Sequence, residues 1–499
     1  MRAAASRGGQ DEPNSDPGGP PAPGAMRVAV IGAGWAGLAA AVEARALGHA
    51  VTVFERAPAA GGRARRARWR VDGVELPIDN GQHILIGAYR DTLALMARVG
   101  VAERDVLERI PLTLDYAGGP RVRAPRLPAP LHLAAALLGA RGLTWAARLD
   151  ALRFSAWARA RGWTLATDVT VEALLRARHA RAEAVALLWA PLCLAALNTP
   201  IERASAQVFL NVLRDSVGSR RAHSDLLLPR ADLSALLPDA ATGWLAARGA
   251  GVRLGAAGTV DALAAAPDGR WRLRLGRAAP GIASPLDAEA AFDAVVLATG
   301  PRAAADLLAT AARATENAPD ACHETLRRLR ALEPSAIATA WLLLPDGPHL
   351  RAPMRALHAE RADSPGQWLL VRRASPMPSR RLAAVVLSAH AAARDGAAAL
   401  GARLLAQIGR ELSAEADLPA ERVAPPDSPV RIVVEREATF LCTPALARPR
   451  ADCGLPGLRL AGDYVESPYP GALEGAVRSG LAAARSVAAG HAPARVAPT

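Results

Sequence analysis

Three glycines and one acidic residue near the start of the chain have the spacing of a dinucleotide site. Gly32, Gly34 and Gly37 form G-x-G-x-x-G directly after the apolar run RVAVI, and Glu55 ends the next apolar run, AVTVFE. Gly32 permits a tight turn, Gly34 lets the backbone approach a pyrophosphate, and Gly37 lets a helix pack closely on a strand. The helix N-terminus favours phosphate charge, and an acidic side chain binds ribose hydroxyls. The sequence therefore predicts a dinucleotide-binding βαβ unit, and Glu55 disfavours a 2′-phosphate.

The residues that follow distinguish NAD from FAD. ERAPAAGGRARR places Gly62 and Arg63 just beyond the acidic strand end. This E-x(5)-G-G-R pattern resembles the FAD-containing amine oxidase and carotene desaturase superfamily. The resemblance implies that the arginine lies near the diphosphate and that the glycines let the flavin half of FAD pass. The alternative is that Arg63 is one more solvated arginine of a basic run.

The C-terminal segment LRLAGDYVESPYPGALEGAVRSG resembles the second FAD signature of the same superfamily. The resemblance implies that Asp463 binds the ribityl chain and that the following helix points its N-terminus at the flavin. VVLATG resembles the strand-to-loop crossing beside the cofactor, and Val260 occupies the position of a backbone contact to adenine. Because YPGALEG has no histidine or cysteine, FAD is expected to bind non-covalently. The predicted FAD-binding residues are Gly32, Gly34, Trp35, Ala36, Gly37, Glu55, Arg56, Gly62, Arg63, Gly81, Gln82, Val260, Thr299, Gly300, Gly462, Asp463, Gly471, Ala472 and Leu473; no metal site is predicted.

Two further segments resemble the hydroxysqualene dehydroxylase family of bacterial hopanoid biosynthesis. They are PIDNGQHILIGAYRDTL over 77–93 and PLCLAALNTPIERASAQVFLNVLRDS over 191–216. The likeness extends from about Met26 to Val487 and departs at YPGAL, where YPATL is expected. It implies replacement of the hydroxyl of hydroxysqualene by hydrogen, giving squalene, with reduced FAD as the electron donor. Carotenoid-type desaturation, flavin amine oxidation and a flavin-bearing scaffold without turnover are the alternatives.

Four residues are candidates for chemistry beside the flavin. His83, in DNGQH, is a candidate general acid, because histidine exchanges a proton near neutral pH; the alternative is a histidine held there for structural reasons. Asp79 is expected to orient the same loop through backbone hydrogen bonds. Asn198 either binds the substrate hydroxyl or caps a helix end. Tyr469 either faces the flavin ring or packs within its loop.

Composition argues against several functions and binding partners. The chain has 499 residues, a net charge of +13 and no lysine, so all 60 basic residues are arginine. The absence of lysine disfavours an amine oxidase, because many such enzymes use a lysine near the flavin. The arginines are spread along the chain without an aromatic-interleaved basic patch, which argues against nucleic acid. Four cysteines without C-x-x-C spacing argue against disulfides and zinc and favour the cytoplasm.

The predicted substrate is a long hydrocarbon, so a peripheral contact with the inner face of the cytoplasmic membrane is expected. The segment over 121–149, RVRAPRLPAPLHLAAALLGARGLTWAARL, combines arginines with an apolar face, as interfacial helices do; an ordinary helix facing the core is the alternative. The apolar run over 184–201 is interrupted by Pro191 and is expected to be a core or pocket helix rather than a span. The electron donor is unidentified: free NAD(P)H, a reduced flavin carrier and ferredoxin all remain open.

The expected fold class is α/β. The opening unit, over 27–100, is expected to form a strand, a glycine-rich turn, a helix, a strand and then an irregular basic segment; the block over 101–228 is expected to be mostly helical. A Rossmann-type FAD-binding domain of a GR2-like flavoprotein is expected to be assembled from discontinuous segments, with an inserted mixed α+β substrate domain. The predicted ranges are 1–25 for a disordered extension, 26–105, 225–302 and 432–490 for the FAD-binding domain, 106–224 and 303–431 for the substrate domain, and 491–499 for a flexible tail. Met26 is a candidate start of translation.

Overall fold

The computed structural model describes residues 24–276, 291–347, 350, 352–359, 363–372, 377, 379–389 and 396–490. Residues 1–23 of the predicted extension and the predicted tail over 491–499 lie outside the described residues. The strands are β1 (Arg27–Ile31), β2 (Ala50–Glu55), β3 (Arg66–Val71), β4 (Val74–Asp79), β5 (Leu85–Ile86), β6 (Leu107–Ile110), β7 (Thr113–Asp115), β8 (Arg121–Arg123), β9 (Leu226–Pro229), β10 (Gly251–Leu254), β11 (Val260–Ala265), β12 (Trp271–Leu275), β13 (Ala291–Phe292), β14 (Ala294–Leu297), β15 (Pro334–Pro345), β16 (Met354–Ala356), β17 (Trp368–Val371), β18 (Arg380–Ser388), β19 (Val430–Phe440) and β20 (Leu458–Leu460). The α-helices are α1 (Trp35–Ala46), α2 (Arg90–Arg98), α3 (Glu103–Val106), α4 (Leu131–Leu138), α5 (Trp145–Ala160), α6 (Val171–Ala177), α7 (Ala182–Ala184), α8 (Ala190–Leu197), α9 (Ala206–Ser216), α10 (Leu233–Leu236), α11 (Pro238–Ala247), α12 (Pro301–Arg313), α13 (Asp320–Ala331), α14 (Ala397–Ala416), α15 (Ala420–Val423) and α16 (Leu473–Gly490).

A parallel sheet with the strand order β10-β2-β1-β14-β20 forms the centre of the first domain. Its two central strands are buried, and they are apolar from Val28 onwards in β1 and throughout β14, because both faces of the sheet are covered. Val28 and Val30 of β1 pack towards α1 and α16, whereas Ala29 and Ile31 belong to the larger core on the opposite face. This arrangement confirms the predicted α/β fold class and the Rossmann-type unit.

Two helices from opposite ends of the chain cover one face of this sheet. A Cβ atom added at Gly480 of α16 would lie 2.1 Å from the carbonyl oxygen of Ala36 in α1. The two helices therefore approach each other to backbone contact, which only glycine permits at this point. The C-terminal segment is fixed beside the N-terminal glycine loop, as a cofactor domain assembled from discontinuous segments requires.

A second, antiparallel sheet has the strand order β16-β17-β18-β15-β19. The side chains of β15 alternate between its two faces. Ala340 and Leu342 pack in the core that α14 covers, whereas Trp341 and Leu343 pack against the β3–β4 hairpin. This sheet thus forms one wall of the second domain and carries the hairpin on its other side.

The structure corrects two expectations about local structure. The basic segment after β2 is not irregular: β3 and β4 pair as an antiparallel hairpin in which Arg66 opposes Asp79. Its alternation of arginines with apolar residues is a strand pattern, and Trp69 packs inside while Arg68 is exposed. The block over 101–228 also contains the strands β6, β7 and β8, with β6 pairing with β9, besides its helices.

One predicted domain boundary does not match the sheet topology. β19 pairs along most of its length with β15 of the second sheet. The expected boundary at residue 432 therefore falls inside β19, a strand of the second sheet. The other boundaries stay predictions. Among the helices that the structure describes, none is long and apolar enough to cross a membrane.

Candidate cofactor and substrate site

A cavity of about 1580 Å³ lies between the carboxyl ends of the parallel sheet and the second sheet. Sites for single drug-sized ligands usually measure about 300–1,000 Å³, so this cavity has room for a dinucleotide and a second molecule. We call its polar and glycine-rich part the cofactor half, lined by Gly32, Gly34, Glu55, Gly62, Arg63, Val260, Thr299, Gly462, Asp463 and Gly471. We call its apolar part the substrate half, lined by Leu112, Leu114, Val122, Leu133, Leu137, Trp163, Leu188, Trp189, Leu192, Ala196, Phe209 and Leu213.

The glycine loop opens the cofactor half at the N-terminus of α1. Gly34 is the N-cap residue, and no side chain accepts a hydrogen bond from the first turn. A Cβ atom at Gly34 would meet only the Cα of Gly62, at 3.9 Å, whereas one at Gly37 would lie 1.8 Å from the carbonyl oxygen of Gly32. Gly34 thus leaves space and free N–H groups for a phosphate, and Gly37 permits close packing.

Glu55 lies beside this loop at the carboxyl end of β2. Its carboxylate accepts hydrogen bonds from the backbone N–H groups of Ala33 and Ala57, both at 2.7 Å. Each oxygen keeps a further lone pair for a ligand hydroxyl. Glu55 therefore orients the glycine loop and still presents acceptors to a ribose.

Arg63 and Asp463 join the two ends of the chain across the cofactor half. The guanidinium of Arg63 lies 2.6 Å from the Asp463 carboxylate and also donates to the carbonyl oxygens of Glu437 and Ala438. The carboxylate of Asp463 raises the pKa of Arg63. Their pairing holds the two FAD signatures seen in the sequence against each other.

The other predicted cofactor residues gather along the same surface. All of those predicted from the sequence except Gly37 line the cavity. Trp35 also holds the turn before Arg65 in place, because its indole N–H donates to the carbonyl oxygen of Ala64 at 3.0 Å. Thr299 Oγ1 and Gln82 Oε1 are buried without a hydrogen-bond partner among the described residues. Such groups cost free energy unless a ligand or water pairs with them, so both side chains indicate a bound polar group.

His83 lies on the cavity wall but is poorly suited to be an acid at neutral pH. Its Nδ1 lies 2.8 Å from the carbonyl oxygen of Gly81, which can only accept, so Nδ1 carries the hydrogen. Burial lowers the pKa of His83, and the charge of Arg63 lowers it further. The ring is therefore neutral at neutral pH and offers a lone pair at Nε2. These features disfavour His83 as the resident acid, and its catalytic role stays a prediction.

Asp79 does not line the cavity, which corrects its place among the catalytic candidates. It is fully buried, forms an ion pair with Arg372 and accepts the N–H of Leu233 at 2.8 Å. Its carbonyl oxygen accepts the indole N–H of Trp341 at 3.0 Å. Burial raises the pKa of Asp79 to about 6, against the opposing effect of Arg372. Asp79 thus fixes the hairpin to the second sheet and holds no proton for substrate.

Asn198 touches the cavity, but its amide is already engaged. It ends α8 in the left-handed conformation, with φ of 46°. Its amide nitrogen donates to Ser335 Oγ at 3.1 Å and Thr439 Oγ1 at 2.9 Å, and its oxygen accepts the N–H of Ala389 at 2.6 Å. Of the two roles expected for Asn198, these bonds favour helix capping and the joining of α8 to the second sheet.

Tyr469 lines the cavity in the loop before α16. Its hydroxyl donates a hydrogen bond to Asp215 of α9, and Asp215 is also held by Arg214 at 2.7 Å. Arg478 lies over the Tyr469 ring, 5.3 Å from its centroid. Burial and the neighbouring carboxylate raise the pKa of Tyr469, so the phenol keeps its proton at neutral pH.

The substrate half is built mainly from α8, α9 and α4. The π-helical turn Val185–Trp189 precedes α8, and together they bring Leu188, Trp189 and Leu192 to the cavity. The apolar run over 184–201 is therefore a pocket helix, as predicted. The indole N–H of Trp189 is buried without a partner in the described part of the chain.

Comparison with known protein families agrees with the geometry of the site. The family model for flavin containing amine oxidoreductases matches residues 35–339 and 441–488. Hydroxysqualene dehydroxylase of Rhodopseudomonas palustris is 30% identical, and the match covers 93% of this chain and 99% of that protein. The chain belongs to the flavin-containing amine oxidoreductase family. The family resemblance predicted from the sequence is thereby confirmed.

Other comparisons give one shorter sequence match and two solved structures with a similar fold. Hydroxysqualene dehydroxylase of Zymomonas mobilis is 40% identical over 15% of this chain and 18% of its own length. Cyclohexylamine oxidase of Brevibacterium oxydans has a TM-score of 0.61 at 17% identity, covering 93% of this chain and 99% of that chain. Reduced UDP-galactopyranose mutase has a TM-score of 0.63 at 13% identity, covering 93% of each chain. Identities this low show the shared fold alone.

The residues of this flavin-containing oxidoreductase fit FAD, its cofactor. Three helix N-termini, those of α1, α12 and α16, meet at the cavity, and the N-caps Gly34 and Gly300 add no side-chain cap. Their N–H groups would hold the diphosphate at α1 and stabilise negative charge on the flavin at α16. Glu55 and Asp463 would accept from ribose and ribityl hydroxyls.

Sequence reasoning missed several residues of the site. Gly258 lines the cofactor half, and a Cβ atom there would lie 2.5 Å from the carbonyl oxygen of Glu55; a glycine just before β11 was a usable signal. Glu474 in the first turn of α16 accepts hydrogen bonds from the N-terminus of α2, at 2.7–3.0 Å. Asp215 and Trp189 carry no local signal, because only the tertiary fold brings them to the cavity.

Proposed function

We propose that this oxidoreductase removes the hydroxyl group of hydroxysqualene and thereby gives squalene. The observation that carries the proposal is the substrate half, a long apolar surface that continues directly from the cofactor half. A triterpene alcohol needs such a surface along its whole length. The R. palustris relative, which matches over nearly its full length, is named for this reaction and supports the same substrate.

The proposed reaction replaces a carbon–oxygen bond by a carbon–hydrogen bond. The alcohol, two electrons and two protons give the hydrocarbon and water. When bound in its reduced form, FAD supplies two electrons and one proton as a hydride equivalent. The chain must give the second proton to the leaving hydroxyl and keep water from the cationic carbon. It must also hold that carbon within reach of the hydride donor, which for reacting atoms in general means about 3–3.5 Å.

The substrate half can keep water from the cationic carbon and stabilise its charge. Leu188, Leu192, Phe209 and Leu213 present hydrocarbon to the ligand and leave no polar group for water. The ring of Trp189 lies among them, packed at 4.7 Å against Phe154 outside the lining. An aromatic face stabilises a nearby cation, by about 0.5–2 kcal/mol or more when desolvated. The developing allylic cation is thus stabilised without a nucleophile that would trap it.

Tyr469 is the proposed proton donor. Its phenol keeps its proton at neutral pH and lies on the cavity wall next to the N-terminus of α16. The hydrogen of Tyr469 Oη, which the structure directs at Asp215, must turn to the leaving oxygen. That oxygen then departs as water, and the phenolate takes a proton back from solvent. Arg214 holds Asp215 beside the phenol, so the carboxylate keeps the ring in place until the hydroxyl turns. General acids of this kind contribute about 10²–10⁴-fold.

His83 then has an orienting role. With Nδ1–H bound to Gly81, its free Nε2 can accept the hydrogen of the substrate hydroxyl. This contact turns an oxygen lone pair towards the proton donor. In the proposal His83 therefore binds the alcohol and does not protonate it.

Carotenoid-type desaturation is the second candidate. Zeta-carotene desaturase of Synechocystis is 38% identical, but over 19% of this chain and 19% of that protein. The apolar substrate half suits a carotenoid as well, although desaturation needs oxidised flavin at the start. Amine oxidation is the third candidate, and the chain's lack of lysine argues against it.

Anaerobic single turnover tests these candidates. The purified flavoprotein is reduced with dithionite and mixed with hydroxysqualene in detergent, and flavin reoxidation and squalene are measured together. We expect both to appear at matching rates. Flavin that stays reduced with the alcohol unchanged would contradict the proposal. In parallel, oxidised protein is mixed with zeta-carotene or with a primary amine, and flavin reduction there would support the second or third candidate.

A further inference from the structure

Exposed apolar side chains are concentrated in one short part of the chain. Among the residues that the structure describes, nine large hydrophobic side chains are exposed, and five of these lie between residues 127 and 149. The remaining four are scattered along the chain. We call the five the ridge: Leu127, Leu131, Leu138, Trp145 and Leu149. Helices α4 and α5, which carry four of the five, contact each other. Exposed apolar side chains grouped in this way mark an interaction surface, whereas single exposed leucines do not.

Helix α4 separates the ridge from the cavity. Leu131 and Leu138 are seven residues apart, so they lie on one face of the helix and are 58% and 42% exposed. Leu133 and Leu137 lie on the opposite face and line the substrate half. One helix, about 10 Å thick, therefore has solvent-facing leucines on one side and cavity-lining leucines on the other.

The charged side chains within the ridge segment are all arginines, and the neighbouring carboxylate of Glu183 accepts hydrogen bonds from Thr144. The segment over 121–149 contains five arginines and no aspartate or glutamate. Arg123, Arg126 and Arg141 are exposed, and within the described residues none of them pairs with a carboxylate. Arg148 lies over the Trp145 ring at 4.6 Å, which keeps the indole at the surface. Arginines beside exposed leucines and tryptophan match the headgroup and acyl layers of an anionic bilayer.

We propose that the ridge docks on an anionic lipid bilayer and that the substrate enters the cavity past α4. The docking half of this inference stands on the ridge and its charges; the entry half rests on the proposed function, because only a membrane-dissolved substrate needs such a path. The ridge residues insert into the boundary between headgroups and acyl chains. The arginines pair with lipid phosphates, and the inner face of α4 receives the hydrocarbon.

Vesicle sedimentation tests the docking half without substrate. The flavoprotein is mixed with vesicles of phosphatidylcholine alone or of phosphatidylcholine with phosphatidylglycerol. The ridge variant is Leu131→Ser/Leu138→Ser/Trp145→Ser, and its matched control is Leu47→Ser/Val169→Ser/Leu418→Ser, which changes exposed side chains elsewhere. We expect the wild type and the control to bind the anionic vesicles and the ridge variant to stay in solution.

A second pair of variants tests the charges. Arg123→Gln/Arg126→Gln/Arg141→Gln is compared with Arg68→Gln/Arg104→Gln/Arg176→Gln, which removes the same charge from other exposed sites. We expect the first to bind anionic vesicles about a hundredfold more weakly, at about fivefold for each arginine near the surface, and the second to bind nearly as the wild type does. Equal losses in both would show only a net-charge effect and would overturn the proposal.

Three further outcomes separate docking from the alternatives. If the wild type ignores both kinds of vesicle and forms a dimer that the ridge variant dissociates, the ridge is an interface between two copies and not a bilayer surface. If docking holds, turnover with substrate in vesicles should fall in the ridge variant while turnover in detergent is kept. Failure of wild-type turnover in detergent would instead contradict the proposed function and leave docking standing. Retained flavin absorbance shows that each variant is folded.

Discussion

The cofactor half and the substrate half of one cavity are built in different ways. The cofactor half consists largely of backbone, namely glycines, helix N-termini and strand ends whose geometry allows few residue types, with a few polar side chains between them. The substrate half consists of leucines, phenylalanine and tryptophans from several helices, any of which another apolar residue could replace in kind. Where backbone forms the site, one added side-chain atom is expected to abolish cofactor binding. Where apolar side chains form it, a substitution is expected to change the affinity for substrate gradually.

The largest effect is expected at the glycine loop, where two neighbouring glycines should fail differently. In Gly37→Ala the new Cβ atom would lie 1.8 Å from the Gly32 carbonyl oxygen, so we expect loss of the folded first domain. In Gly34→Ala the Cβ atom meets only Gly62, at 3.9 Å, so the chain should fold while the cofactor is excluded. Circular dichroism and flavin absorbance measured together distinguish the two.

Gly243→Ala is the matched control for both, because a Cβ atom there meets nothing within 4 Å. It should keep fold and flavin, with a small gain in helix stability. Full flavin occupancy in Gly34→Ala would show that the cofactor does not approach this backbone. That result would remove the main distinction between the two halves.

The difference between the halves also explains what the sequence could predict. The residues around Gly32, Glu55, Arg63 and Asp463 were found because backbone geometry and phosphate chemistry restrict residue type at fixed spacing. The parallel sheet followed from the same segments. The β3–β4 hairpin was missed because its arginines hid the period-two alternation of Trp69 and its neighbours.

The substrate half could be predicted only as apolar. Trp189 reaches the cavity from the π-helical turn, and Asp215 reaches Tyr469 from 254 residues away in sequence. Such contacts depend on the packing of α8 and α9, for which one sequence holds no spacing rule. The misplacement of Asp79 has the same cause, since its partner Arg372 lies on a distant segment and turns the carboxylate away from the cavity.

The next effect in size concerns the proton donor. In Tyr469→Phe the ring stays and only the hydroxyl is lost, so we expect flavin reoxidation by hydroxysqualene to slow by about 10²–10⁴-fold. Flavin content should stay near the wild-type value, because the ring contact with Arg478 is kept, while loss of the hydrogen bond to Asp215 should lower the unfolding temperature slightly. Stopped-flow absorbance of the reduced protein measures the rate. An unchanged rate would remove Tyr469 from the proposed chemistry.

Asp79 and Asp463 are both paired with arginines, and comparing them separates structure from cofactor binding. Asp79→Asn leaves Arg372 without its anion in a buried place, so we expect the free energy of unfolding to fall by about 3–5 kcal/mol. Asp463→Asn lies on the cavity and should chiefly weaken FAD. Urea unfolding and flavin titration of both variants measure the two effects. Equal flavin loss in both would contradict the position of Asp79 outside the site.

A smaller effect is expected where the substrate half is narrowed. Ala196 of α8 lines the cavity and is partly exposed to it. Ala196→Trp should fill part of the substrate half and lower kcat/KM for hydroxysqualene by about tenfold. This corresponds to about 1.4 kcal/mol of lost binding free energy. The flavin spectrum should not change. A shifted spectrum would mean that Ala196 lies against the cofactor, and the line between the two halves would then have to move.

The smallest effect, and the most informative in sign, is the pH dependence of His83. Burial and Arg63 lower its pKa, so the neutral ring that accepts the substrate hydroxyl is dominant at neutral pH. As pH falls through this lowered pKa, below the ordinary 6.5, Nε2 gains a proton and the single-turnover rate should fall. An acid at the same position would give the opposite slope, with the rate rising as pH falls. His83→Gln should remove this acid limb and cost about fivefold at neutral pH, the value of one neutral hydrogen bond. If the rate instead rises at low pH and this rise is lost in His83→Gln, the proton comes from His83, and Tyr469 is left as a positioning residue.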